Sequence, residues 1–170
     1  MRRLVLALVA VIACALPASA QQVRNLAAVN GWVAYVAQAD DGGTLCGMGT
    51  DANRVGRFFW IKVERLRGNL HGFIQVGDRS WNVRREATGR IVVAIDSRRA
   101  ELNYSGTSRP DMIEASYQGA FNNFLNFVQA FALGIRMQVL FPGENVTPWS
   151  ADLRGTRAVT EAFLACARRI

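Results

Sequence analysis

The sequence predicts an α+β fold: an antiparallel β-meander, small sandwich or barrel, covered by two helices, with the C-terminal helix tied on by a disulfide. Three observations carry this reading. Between residues 31 and 104, short runs of aromatic and β-branched residues are divided by turns containing Gly or Asp, as in sequential antiparallel strands. From Ser116 the apolar period lengthens to about 3.6, and a second such stretch closes the chain. Two cysteines, Cys46 and Cys166, stand far apart within that arrangement.

The elements follow in order. Met1-Arg2-Arg3, the uncharged run Leu4 to Leu16, Pro17 and Ala18-Ser19-Ala20 have the three-part grammar of a secretory signal peptide, with cleavage expected after Ala20. The run is shorter than the ~20 apolar residues that span a bilayer, and it has no polar face that would make it a packed amphipathic helix. Val11-Ile12-Ala13-Cys14 also resembles a lipobox, which would make Cys14 a lipidated first residue. The expected division is therefore 1–20 signal peptide, 21–30 a short flexible lead-in, and 31–170 a single globular domain.

Gly31 to Val36 reads as a strand, Asp40-Asp41-Gly42-Gly43 as a turn, and Thr44 to Thr50 as the returning partner. Phe58 to Leu66 gives the densest strand signal; Gly68-Asn69 turns it into Leu70 to Val76. Gly77-Asp78 leads to a strand at Ser80-Trp81-Asn82-Val83, and Ile91 to Asp96 reads as a central strand paired with Glu101 to Tyr104. Over Ser116 to Leu133, Phe121, Phe124, Leu125, Val128 and Ala132 define one helical face, and Gly134 supplies the stop. Ile135, Met137, Val139 and Phe141 alternate as a strand. A last helix follows Gly155-Thr156, with Val159, Ala162, Phe163 and Cys166 inward.

The chain has 20 Lys and Arg against 13 Asp and Glu, a formal charge of +7. Removing Arg2 and Arg3 leaves 18 against 13, or +5. Lys62 is the only lysine. The doublets Arg84-Arg85 and Arg98-Arg99 are candidate anion-binding residues, suited to an anionic surface. They lack the interleaved aromatics of a nucleic-acid site, and no nucleic acid is expected. No later apolar run could span a membrane. Cleavage would remove Cys14 and leave Cys46 and Cys166, an even pair that in an exported protein is usually bridged. Two free buried thiols, or Cys46 as a nucleophile beside His71, are the other readings.

Catalytic signatures are missing. His71 is the only histidine, too few for a His-based zinc site, and HExxH, GxSxG and the P-loop pattern are absent. Asp40-Asp41 lacks the alternate acids and closing Glu of a calcium loop. Asp96 with Glu101, or Asp111 with Glu114, could serve as acid/base pairs, but acids beside turns ordinarily bond local backbone. No catalytic residue, metal or cofactor is expected. Phe127 and Phe131 adjoin the core face of Phe121 and Phe124 and widen the first helix's apolar surface, so Phe124, Phe127 and Phe131 are a candidate ligand or partner surface as well as core.

Gly134 to Phe141, then Ser150-Ala151-Asp152-Leu153-Arg154-Gly155 and an Ala-containing helix, together with the early Trp32 strand followed by a cysteine, distantly resemble the invasion-associated locus B family of exported alphaproteobacterial proteins. The resemblance covers about half of the 150 residues after Ala20. It implies a periplasmic or secreted β-rich domain without established catalysis. The expectation is thus a non-enzymatic exported binding protein, acting on an envelope protein or anionic surface. An envelope hydrolase or hydrolase inhibitor is the alternative, and a carrier of a small apolar ligand or lipid a further one.

Overall fold

In the computed structural model, residues 23–39, 41–50, 56–117 and 119–170 are described. The expected signal segment and Cys14 lie outside them. Ten strands form one antiparallel sheet, ordered β1-β2-β3-β4-β5-β8-β7-β6-β9-β10. They are β1 Arg24–Val29, β2 Trp32–Gln38, β3 Thr44–Thr50, β4 Arg57–Leu66, β5 Asn69–Asp78, β6 Thr88–Ile95, β7 Arg98–Gly106, β8 Met112–Ser116, β9 Arg136–Leu140 and β10 Trp149–Asp152. Two helices, α1 (Phe121–Leu133) and α2 (Arg157–Ala167), cover one face.

The connectivity is two meanders joined out of order. β1 to β5 run consecutively across the sheet; the chain then crosses to β6 and returns through β7 to β8, which pairs with β5. β9 and β10 extend the far side of β6. The two ends of the sheet approach each other: the Trp32 indole N–H donates to the Asp152 carbonyl at 3.0 Å, and the Asn30 amide to the Arg154 carbonyl at 2.9 Å.

Alternate residues of the longer strands point apolar side chains into the core that the helices close. Met48, Phe59, Ile61, Ile74, Ile91, Val93 and Met137 are all buried there, with Phe124 and Phe131 of α1 and Phe163 of α2 closing the core. Phe131 meets Phe59 and Trp32 at ring distances of 5.9 and 6.0 Å. Contacts of this kind are worth about 0.5–1.5 kcal/mol each beyond their buried area.

The disulfide joins Cys46 of β3 to Cys166 of α2 across 120 residues, with Cα atoms 5.9 Å apart. It fastens α2 over β1, β2 and β3, while α1 packs on α2 and β5.

Several expectations need correcting. The segment 21–30 is not a flexible lead-in where it is described: Arg24–Val29 is β1, paired with β2. Asn30 and Gly31 have φ of 49° and 81°, the two left-handed residues of a type I′ hairpin, for which Asn-Gly is the favoured pair. Arg67 and Gly68 form the next such turn, at φ 50° and 84°, so β5 begins at Asn69.

Ser80 to Val83 is loop, not strand. Asp78 captures the backbone N–H and hydroxyl of Ser80, and Trp81 packs its ring on Phe141, so the chain leaves the ladder. β8 and β10 are additional strands.

The buried face of α1 is rotated from the one expected. Phe124, Val128, Ala130 and Phe131 are buried, while Phe121, Leu125 and Ala132 are half-buried. Packing against Phe59 and Trp32 fixes that rotation. Gly134 ends the helix in extended backbone, φ −76°, so a left-handed stop is not its role. A Cβ there would stand 2.7 Å from Ile95 and 2.8 Å from Leu153. On α2 the buried residues are Val159, Thr160, Phe163, Leu164 and Ala167, with Ala162 and Cys166 half-buried at its edge.

Candidate functional site

The sheet has a seam between β7 and β8. β7 pairs with β6 along Arg98 to Ser105, yet with β8 only at Ser105 and Gly106. β8 ends at Ser116, Tyr117 still donates its N–H to the Gly72 carbonyl of β5 at 3.0 Å, and α1 begins at Phe121. A cleft of about 470 Å³ opens where β8 would have continued. One wall is six consecutive residues of β7, Arg98 to Asn103; the other is Ser116, Tyr117 and, from α1, Asn126, Phe127 and Ala130. Successive side chains of a strand point to opposite faces, so six in a row can line one hollow only where the strand presents its edge.

Asn103 and Ser116 also border a second hollow of about 700 Å³, which continues along β7 from Asn103 to Gly106, extends past its end to Thr107, and is rimmed by Arg85 and Arg90. Together the two follow the whole of β7.

The candidate residues of the sequence are thereby sorted. Arg98 and Arg99 stand at the cleft mouth, exposed, with no ion pair among the described residues. Arg85 rims the second hollow, and Arg84 borders a third of about 300 Å³ beside Trp81 and Phe141. Glu101 is engaged by Arg90 at 2.6 Å. The cleft therefore carries uncompensated positive charge from Arg98 and Arg99. Of the aromatic set only Phe127 reaches it; Phe124 and Phe131 are fully buried. The three phenylalanines do not line one ligand cavity, because α1 is rotated so that two of them fill the core. Structure instead joins Phe127 to Arg98 and Arg99, which the sequence presents as unrelated groups.

The candidate carboxylates Asp96, Glu101, Asp111 and Glu114 each have another partner. Asp96 accepts the backbone N–H groups of Ile135 and Arg136 at 3.0 and 3.1 Å, fastening the β6–β7 turn to β9. Asp111 binds Arg109, and Glu114 accepts from Gln75 at 2.9 Å. Cys46 is bridged and cannot serve as a nucleophile with His71.

His71 has a different neighbourhood. Its Nε2 lies 3.3 Å from Ser116 Oγ, and its Nδ1 is buried 3.8 Å from a Glu64 oxygen, without a hydrogen bond. Ser–His–Glu is the order of an acyl-transfer triad, but 3.8 Å is outside hydrogen-bonding range.

A further groove, of about 510 Å³, lies on the helix-free face over β2, β3, β4 and β5. Tyr35 and Trp60 meet edge to face at 5.4 Å, lying over Gly47 and Gly49, where a Cβ would collide with their rings. Burial pushes the Tyr35 hydroxyl above the usual tyrosine range. Glycines two apart in β3, opposite aromatics in β2 and β4, are the sequence signal for this platform. Among the described residues no group of three or more His, Cys, Asp or Glu side chains could hold a metal ion.

Comparison with protein-family models, with curated proteins and with solved structures finds no match.

Proposed function

We propose that this is an exported binding protein that holds an anionic partner in the cleft between β7 and α1. One observation carries the reading: two exposed, unpaired arginines, Arg98 and Arg99, stand with Phe127 and Tyr117 in one cleft beside an open strand edge. Arginine and aromatic side chains are the residues that most often concentrate binding energy, and uncompensated positive charge favours an anionic ligand. Export is supported by the form of residues 1–20 and by the disulfide, which persists in oxidising compartments. No described helix is long and apolar enough to cross a membrane.

The test is capture from the envelope fraction of the source cell by the mature protein, in parallel with the Arg98→Glu/Arg99→Glu and Phe127→Ala variants. The expected result is a partner retained by the wild type and lost from both variants at unchanged melting temperature. Identical recovery by all three would overturn the assignment of the site. N-terminal sequencing of exported protein should begin at Gln21.

The arrangement of Ser116, His71 and Glu64 favours a second reading, an envelope hydrolase. A fluorophosphonate probe separates the two. The binding reading expects no labelling, whereas labelling abolished by Ser116→Ala would establish the hydrolase.

A further inference from the structure

The open edge of β7 specifies more than a charged cleft. Over Arg98 to Tyr104 this strand pairs with β6 on one side and with no strand on the other; β8 runs alongside only as far as Ser116, opposite Asn103. Residues of an antiparallel strand direct their N–H and C=O groups alternately to the two sides. The seven residues 98–104 therefore present alternate backbone donors and acceptors to the cleft, over about 23 Å at ~3.3 Å per residue. Unpaired strand edges invite another strand, and proteins ordinarily blunt or cover them. Here α1 stands back, leaving room along the edge.

The walls define what would enter. A strand laid antiparallel to β7 would occupy the line that β8 abandons at Ser116. On the helix side its alternate side chains would meet Phe127, Ala130 and Leu102; on the other side they would meet Arg99 and the hollow rimmed by Arg85. Glu101 does not cancel this charge, because Arg90 already engages it.

Resting on the binding reading above, we infer that the partner is an extended peptide segment of alternating apolar and acidic residues, which adds as a strand to β7. Backbone hydrogen bonds would supply a sequence-independent part of the affinity, and the two walls the selectivity.

The probe is a seven-residue alternating Val/Asp peptide carrying a fluorophore, titrated against the mature disulfide-bonded protein. Three comparators accompany it: the same peptide N-methylated at alternate residues in each of the two phases, and a Val/Lys peptide. Fluorescence anisotropy reads affinity, and hydrogen exchange reads protection of Arg98 to Tyr104. The expected result is binding by Val/Asp, loss of about tenfold or more in the N-methyl phase that removes the ladder donors, no binding by Val/Lys, and new protection at 98–104.

Equal affinity of both N-methylated peptides would overturn strand addition while leaving the binding reading intact. So would absence of peptide binding while envelope capture still depends on Arg98 and Arg99. Protection at 98–104 that rises with protein concentration and no peptide would assign the edge to a second copy of the chain. Envelope capture indifferent to Arg98 and Arg99 would instead remove the binding reading itself.

Discussion

At the scale of single residues, the helices are held by a few polar and steric details that hydropathy does not reveal. Thr156 is fully buried, with its hydroxyl 2.6 Å from the Phe131 carbonyl and 2.7 Å from that of Leu153. One O–H can donate to only one of them at a time, but either bond anchors the start of α2. Thr160, one turn later, is equally buried and its hydroxyl finds no partner. Thr160→Val keeps the shape and removes an unsatisfied group whose burial costs about 1–3 kcal/mol. The variant should therefore be as stable as the wild type or more so, by up to about 1 kcal/mol, in urea denaturation. A loss exceeding 1 kcal/mol would mean that the hydroxyl has a partner after all. Gly134→Ala tests the opposite case. Its extended backbone suits alanine, and reduced freedom of the unfolded chain favours the change by about 0.4–1 kcal/mol. Contacts at 2.7 and 2.8 Å to Ile95 and Leu153 oppose it, at the ~1–3 kcal/mol typical of overpacking. The clash should win, and the denaturation midpoint should fall; a rise would show that α1 can shift away at little cost.

At the scale of elements, legibility in the sequence follows how local the determinant is. β2 and β4 could be read at once, because β-branched and aromatic residues running into a turn that contains Gly mark a hairpin strand without outside help. β1 was equally accessible through Val29-Asn30-Gly31-Trp32, where Asn-Gly is the hairpin signal, but its small half-exposed residues suggest a loose lead-in when that turn goes unrecognised. β8 has only five residues and β10 four, too short for a period to declare itself. The rotation of α1 depends on Trp32 and Phe59, about 70 to 100 residues earlier in the chain, so no periodicity within the helix could fix it. The cleft is less legible still. It exists because pairing between β7 and β8 stops after two residue pairs, and the end of a ladder leaves no mark in the sequence of either strand. The disulfide was legible from cysteine parity, and it carries a prediction at this scale. Closing a 120-residue separation contributes up to about 5 kcal/mol in the chain-entropy model. The Cys46→Ala/Cys166→Ala variant, which leaves no thiol at either position, should lose several kcal/mol, and wild type in reductant should approach it. An unchanged midpoint would mean that α2 is held by packing alone.

At the scale of the whole molecule, acid should unfold the protein through its surface carboxylates, with the excess of arginine magnifying the effect. Asp111 is held below the usual carboxylate range by hydrogen bonds from Arg109, against a smaller opposing effect of burial. For Asp78, burial is the largest single influence and acts upward, but the hydrogen bonds from Ser80 and the Arg57 guanidinium together outweigh it and lower the group. Asp152 is drawn down to about 2, chiefly by hydrogen bonds from the Arg154 side chain and backbone. Each group is depressed on folding, so between its folded and unfolded values the unfolded chain binds more protons. The associated stability is fully present above the unfolded value near 3.9 and lost as pH falls through the folded ones, toward about 2 for Asp152. These ion pairs are largely exposed, so each contributes little. The larger effect is collective. Protonating all 13 acids leaves 20 Lys and Arg plus one His, a charge of +21 with little to offset it, and self-repulsion then favours expansion. Melting temperature should be nearly flat from pH 8 to about 5 and fall steeply below about pH 4. Added salt should restore part of the loss at low pH by screening the repulsion. A decline already complete by pH 5, or one that salt leaves unchanged, would exclude carboxylate protonation as the cause of acid unfolding.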